Sequence, residues 1–196
     1  MDTQAYKIIR ALCDYLEGLF FGFCIVTLLA LLIYIFYKKR ELRTFINYTV
    51  LVAKNLAIFY FVIYAISLCI YYTSNEFEFF EGRAVGPYAW AYWMMLLRPL
   101  VFCALLQLFW LKKIATKMRY VALITFLVLI VSLFSGSIFE KFVIITASYN
   151  RDVFMGESQF NTAILIIIAS YIIEKSVLFS ALVFISWAIF KNKKLE

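Results

Sequence analysis

"FNTAILIIIASYIIEKSVLFSALVFISWAIF", residues 160–190, is apolar and long enough to cross a bilayer, yet it carries Glu174 and Lys175 side by side near its middle. A helix of about 20 residues, rising 1.5 Å per residue, crosses a hydrocarbon core of ~30 Å. A charge at mid-depth costs about 2.5–3.5 kcal/mol even on the mild insertion scale. Neighbouring positions on a helix diverge by about 100°, so Glu174 and Lys175 are not expected to face each other. Each is expected to find its partner elsewhere.

Working outward from this stretch, four further apolar segments cover residues 19–37, 50–72, 88–111 and 120–148, with the last span taken as 161–190. Glu140 and Lys141 interrupt the fourth, but "FVIITASY" stays apolar beyond them, so that span is expected to continue. Of the 196 residues, 65% are hydrophobic and 20% aromatic, well above the near-half apolar content of soluble domains. Ala5, Ile8, Ile9, Leu12, Leu16 and Leu19 recur at helical spacing. They suggest an amphipathic helix over 1–18 lying at the interface, not a cleaved signal peptide. The expected fold is all-α: one polytopic membrane helix bundle over 1–196, with about five transmembrane helices after that interfacial helix.

The formal charge is +7, but the basic residues sit in short tracts between apolar runs and do not form a stripe interleaved with aromatics. Nucleic-acid binding is therefore not expected. "KKRELR" (38–43), "KKIATKMR" (112–119) and "KNKK" (191–194) hold eleven of the nineteen Lys and Arg and would share one side if five spans alternate. That bias places them in the cytoplasm and the amino terminus outside. Cys13, Cys24, Cys69 and Cys103 stand singly and read as small core residues. Histidine is absent, so this chain offers no imidazole to a haem or metal.

Among the charges within the spans, Lys54 is close enough to the cytoplasmic end to snorkel. Arg98 lies about ten residues into the third span, near the midplane, and Glu174 enters the fifth at similar depth. Equal depth suggests that Arg98 pairs with Glu174, leaving Lys175 to a carbonyl, a lipid phosphate or another subunit. Glu140 and Lys141 lie nearer the outer face. Intramembrane ionisable groups are candidates for a proton path by default. No spaced relay of acids is present, so structural pairing is preferred.

Two stretches go further than composition. They are "YYTSNEFEFFEGRAVGPYAWAYWMM" (71–95), followed by "QLFWLKKI" (107–114), and "FEKFVIITASYNRD" (139–152). In order and orientation they resemble membrane subunits of the NrfD/PsrC type, most nearly the ActC-like subunit of bacterial alternative complex III. Gly86, Pro87, Tyr88, Trp90, Tyr92, Trp93, Gln107, Trp110, Arg151 and Asp152 stand at positions that match the family's motifs. The chain resembles the carboxy-terminal half of such subunits, which have about twice as many spans. Asn150 and Lys141 replace the family's His and Arg.

The resemblance implies an integral, mainly structural subunit of a bacterial respiratory, quinol-linked oxidoreductase complex in the cytoplasmic membrane, with one side of a proton path a further expectation. No cofactor is expected on this chain alone; quinol, haem and iron–sulfur centres belong to partner membrane subunits. One alternative is a half-size quinol-binding anchor completed by a second copy or partner chain. Another is a small transporter or channel with Arg98 as an anion site. A soluble-type enzyme is not expected, since no nucleophile–base pair or phosphate-binding glycine loop occurs.

Overall fold

The computed structural model describes residues 4–73, 85, 89–133 and 157–192. Helix α1 spans Gln4–Tyr37 and α2 spans Arg40–Thr73. Helix α3 spans Ala89–Gln107 and tightens into a 3-10 turn over Leu108–Trp110. A single helical turn, Lys112–Ala115, leads to α4, Met118–Leu133, and the chain continues in α5, Glu157–Asn192. No strand occurs among the described residues. Among the described residues, three segments are long and apolar enough to span a membrane: Lys7–Tyr37, Arg40–Tyr71 and Ile168–Ile189. Leu96–Trp110 and Met118–Leu133 are shorter apolar helices. The fourth expected span is described only as far as Leu133. Glu140, Lys141, Gly86, Pro87, Tyr88, Arg151 and Asp152 lie outside the described residues.

No Gly or Pro occurs between Phe23 and Thr73, so the α1–α2 turn is made without the usual helix breakers. Lys38 supplies it by adopting φ 44°, and its N–H donates to the Tyr34 carbonyl at 2.9 Å. A left-handed residue closes a helix well but is strained when it carries a Cβ. Lys38→Gly is therefore expected to raise stability by about 1 kcal/mol. The check is the unfolding midpoint in detergent, and an unchanged or lower midpoint contradicts the strain.

Successive helices α1, α2 and α3 run antiparallel. Between α1 and α2, Thr27 Oγ1 donates to Thr49 Oγ1 at 3.1 Å in the buried seam. Between α2 and α3, Cys103 Sγ faces the Ala57 carbonyl at 3.5 Å and Gln107 Nε2 donates to the Lys54 carbonyl at 3.4 Å. Tyr64 donates to the Leu96 carbonyl at 2.6 Å, in the turn of α3 that Pro99 leaves one N–H short. Helix α5 runs parallel to α1, as an odd-numbered span should: Phe21 meets Tyr171 and Phe23 meets Phe179, with ring centroids 5.8 and 5.6 Å apart.

Helix α1 is central, packing against α2, α4 and α5. Its fully buried Phe20 stands edge-on to Tyr60 at 5.4 Å and stacks on Phe102 at 5.7 Å. Such pairs add about 0.5–1.5 kcal/mol beyond the area they bury. The structure draws no boundary at Leu19, where an interfacial helix was expected to give way to the first span. Helix α1 is continuous, Leu16 and Leu19 are in the core, and Ile8 and Leu12 are exposed.

The bundle is stepped at one end. Phe109 at the end of α3 packs on Phe23, and Lys54 lies over the Trp110 ring at 3.9 Å. From Phe23 to Tyr37, and from Lys54 back to Arg40, α1 and α2 each continue for a further ~20 Å at 1.5 Å per residue. Helix α5 follows them, placing Phe184 against Phe45 at 6.3 Å. Three helices thus project beyond the α3–α4 turn.

Candidate functional site

A part-buried charged group of the bundle centres on Glu17. The positions buried on α1 include Cys13, Leu16, Phe20, Cys24, Thr27 and Leu31, a stripe with helical spacing. Glu17 falls inside that stripe, one turn after Cys13, so the helix carries a carboxylate into the core. Arg98 on α3 meets it: Nη2 donates to Glu17 Oε2. Tyr60 on α2 donates its hydroxyl to the other oxygen, Oε1, at 2.6 Å. The two charged side chains are 11% (Arg98) and 16% (Glu17) exposed, and the Tyr60 residue is fully buried.

Rings close the surroundings. The guanidinium lies over Phe102 at 5.4 Å, and Tyr60 stacks on Tyr64 at 6.3 Å. Arg98 Nε is buried without a hydrogen-bond partner among the described residues. A carboxylate with both oxygens engaged and a guanidinium against it form a neutral clamp across three helices. In a low-dielectric interior, removing either charged partner costs several kcal/mol because the other is left bare.

A second cluster lies on the far side of α1 at the same level. Lys175 of α5 runs its stem along Gly18, where an added Cβ would come within 2.9 Å of its Cε. Gly22 faces backbone: a Cβ there would stand 2.2 Å from the Lys175 carbonyl oxygen. Gly18 and Gly22 are spaced as the G-x-x-x-G pattern that lets membrane helices approach closely. The Lys175 ammonium sits over the rings of Tyr15 and Tyr171, at 5.2 and 5.5 Å, and donates to Glu174 Oε1 at 2.6 Å. Glu174 is 58% exposed, on a helix whose candidate span is only 11% buried inside the bundle.

Two expected pairings are corrected. Arg98 does not pair with Glu174; it pairs with Glu17. Arg98, Glu17 and Lys175 do share one level, as equal depth suggested, but α1 lies between α5 and Arg98 and supplies its own acid. Glu174 and Lys175 do face each other. Their Cβ directions diverge, but both side chains are long, and Gly18 leaves room for the lysine stem to bend round. Glu17, Tyr60, Gly18 and Gly22 were not singled out from sequence. The legible signals were a charge inside an apolar stripe and two glycines four apart.

Of the motif residues, Gln107 and Trp110 are both used at the α2–α3 junction, one on the Lys54 carbonyl and the other under its ammonium. Trp90 and Tyr92 lie on α3, and Trp93 is half exposed there. Among the described residues no group of three His, Cys, Asp or Glu is placed to hold a metal.

Apolar helices packed around an internal ion pair define this chain as a helical membrane bundle. No family model, curated protein or solved structure matches it.

Proposed function

We propose that this chain is an integral, mainly structural subunit of a larger membrane assembly, of the bacterial quinol-linked respiratory type suggested by its motif resemblance to NrfD/PsrC subunits. The observation that carries the subunit reading is α5. Ionisable residues within membrane helices almost always face protein or a water-filled cavity. Glu174 faces outward on the least buried candidate span, so another protein surface is expected over it.

The Glu17–Arg98–Tyr60 clamp supports a structural role over conduction, because both carboxylate oxygens are already engaged within the bundle. It also argues against a transporter that binds anions at Arg98, whose charge Glu17 already answers. Quinol, haem and iron–sulfur centres belong, in this reading, to the partner subunits, since a chain without histidine offers haem no imidazole. The antiparallel order puts the α1–α2 turn, the α3–α4 turn and the end of α5 towards one end of the bundle. Their basic residues support a cytoplasmic assignment for that end, with the amino terminus outside the bacterial inner membrane.

Purification of the intact protein from mild-detergent membranes is expected to bring down further membrane subunits, with cytochrome and iron–sulfur absorption in the same peak. A bare monomer or homo-oligomer with a featureless visible spectrum would overturn the proposal.

A further inference from the structure

The projecting part of the bundle carries a groove of about 600 Å³ between α1 and α5, floored by the first turns of α2. That volume is in the range of small-molecule and cofactor sites. Ala30 and Ile33 line it from α1, Leu42 and Phe45 from α2, and Ala181 and Phe184 from α5. The lining is almost wholly apolar, which suits a hydrocarbon chain and no polar ligand.

One end of the groove reaches the α1–α2 turn. Ile33 is only four residues before the end of α1, and Leu42 is flanked by Arg40 and Arg43 within a turn's length. Lys38, Lys39, Arg40 and Arg43 are all exposed, and Glu41 is the single acid among them. An apolar trench that ends at a net charge of +3 is complementary to a molecule with a long hydrocarbon chain and an anionic head. Basic clusters beside membrane helices attract anionic headgroups by about 1 kcal/mol per Lys or Arg.

We propose that this groove is a binding site for one anionic phospholipid, with an acyl chain lying along Ala30 and Ala181 and the phosphate held at Lys38, Lys39, Arg40 and Arg43. The site combines two requirements that bulk lipid does not meet together. The apolar channel selects for a chain, and the basic turn selects among headgroups. The test of it does not depend on the identity of any partner subunit.

The experiment is native mass spectrometry of the purified protein equilibrated with phosphatidylglycerol or with phosphatidylcholine of the same acyl chains. The wild-type protein is expected to retain one phosphatidylglycerol more tightly than phosphatidylcholine. Neutralising Arg43 alone (Arg43→Gln) should weaken phosphatidylglycerol retention about fivefold, the equivalent of one basic contact. Neutralising all four basic residues should abolish the preference. Ala181→Phe, on an exposed position, should fill the trench and reduce retention of both lipids while leaving helix content unchanged. Equal retention of the two lipids by the wild-type protein would overturn the proposal. So would undiminished phosphatidylglycerol binding in the four-fold variant or in Ala181→Phe, or a lipid-free dimer cross-linked through Ala181→Cys.

Discussion

Replacing Gly22 with alanine is expected to force α1 and α5 apart, at a loss of at least about 3 kcal/mol, the upper end for over-packing. The added methyl would stand 2.2 Å from the Lys175 carbonyl oxygen and 2.8 Å from its carbon. Those atoms belong to the α5 backbone and cannot swing aside. Gly18→Ala is the internal control. Its methyl meets side-chain atoms, the flexible end of Lys175 at 2.9 Å and the Tyr171 hydroxyl at 3.4 Å, and alanine gains about 1 kcal/mol over glycine in helix propensity. The Gly18 variant should therefore stay within about 1 kcal/mol of the parent. Denaturant titration in mixed micelles reads both. A Gly22 variant as stable as its Gly18 counterpart would mean that α5 does not close on α1 in this way.

Glu17→Ala should be as damaging by a different route. It leaves the Arg98 guanidinium in the bundle without its counter-charge and the Tyr60 hydroxyl without its acceptor. Breaking a buried pair by removing one partner costs about 3–5 kcal/mol, whereas replacing both with apolar groups is often close to neutral. The double variant Glu17→Ala/Arg98→Leu is therefore expected to recover the part of the loss that comes from the bare guanidinium, while the Tyr60 hydroxyl stays without its acceptor. A double-mutant cycle on the unfolding free energy isolates that coupling. If the two losses simply add, the clamp is not a unit.

The helical class was legible because hydrophobicity leaves few alternatives: an apolar surface of this extent is satisfied only by lipid or by other protein. Among the described residues, helices α1 to α5 overlap the apolar runs in order. The ion-pair partner was harder to read. Depth along a span is a one-dimensional quantity that sequence provides, and it placed Arg98 and Glu174 at one level. Azimuth around the bundle is set by which helices touch, and sequence spacing alone does not give it. Glu17 was not legible because the α1 periodicity was followed only as far as Leu19. Continued through Phe20, Cys24 and Thr27, the same stripe takes Glu17 inward. Gly18 and Gly22 announced the close approach of some helix; that the helix is α5, at Lys175, required the fold. Lys38 gave no sequence signal for a left-handed turn, since lysine is not a residue that prefers one.

The step between the long helices and the α3–α4 turn also bears on the surrounding bilayer. Among the described residues, α1 and α5 carry apolar surface on past the α3–α4 turn, where α3 ends ~20 Å short of the end of α1. A bilayer meeting such a ledge must thin or tilt its neighbours, at a fraction of a kcal/mol for each ångström of mismatch. A companion helix seated on the ledge removes that deformation. Relief of mismatch therefore favours association on this side independently of any specific contact.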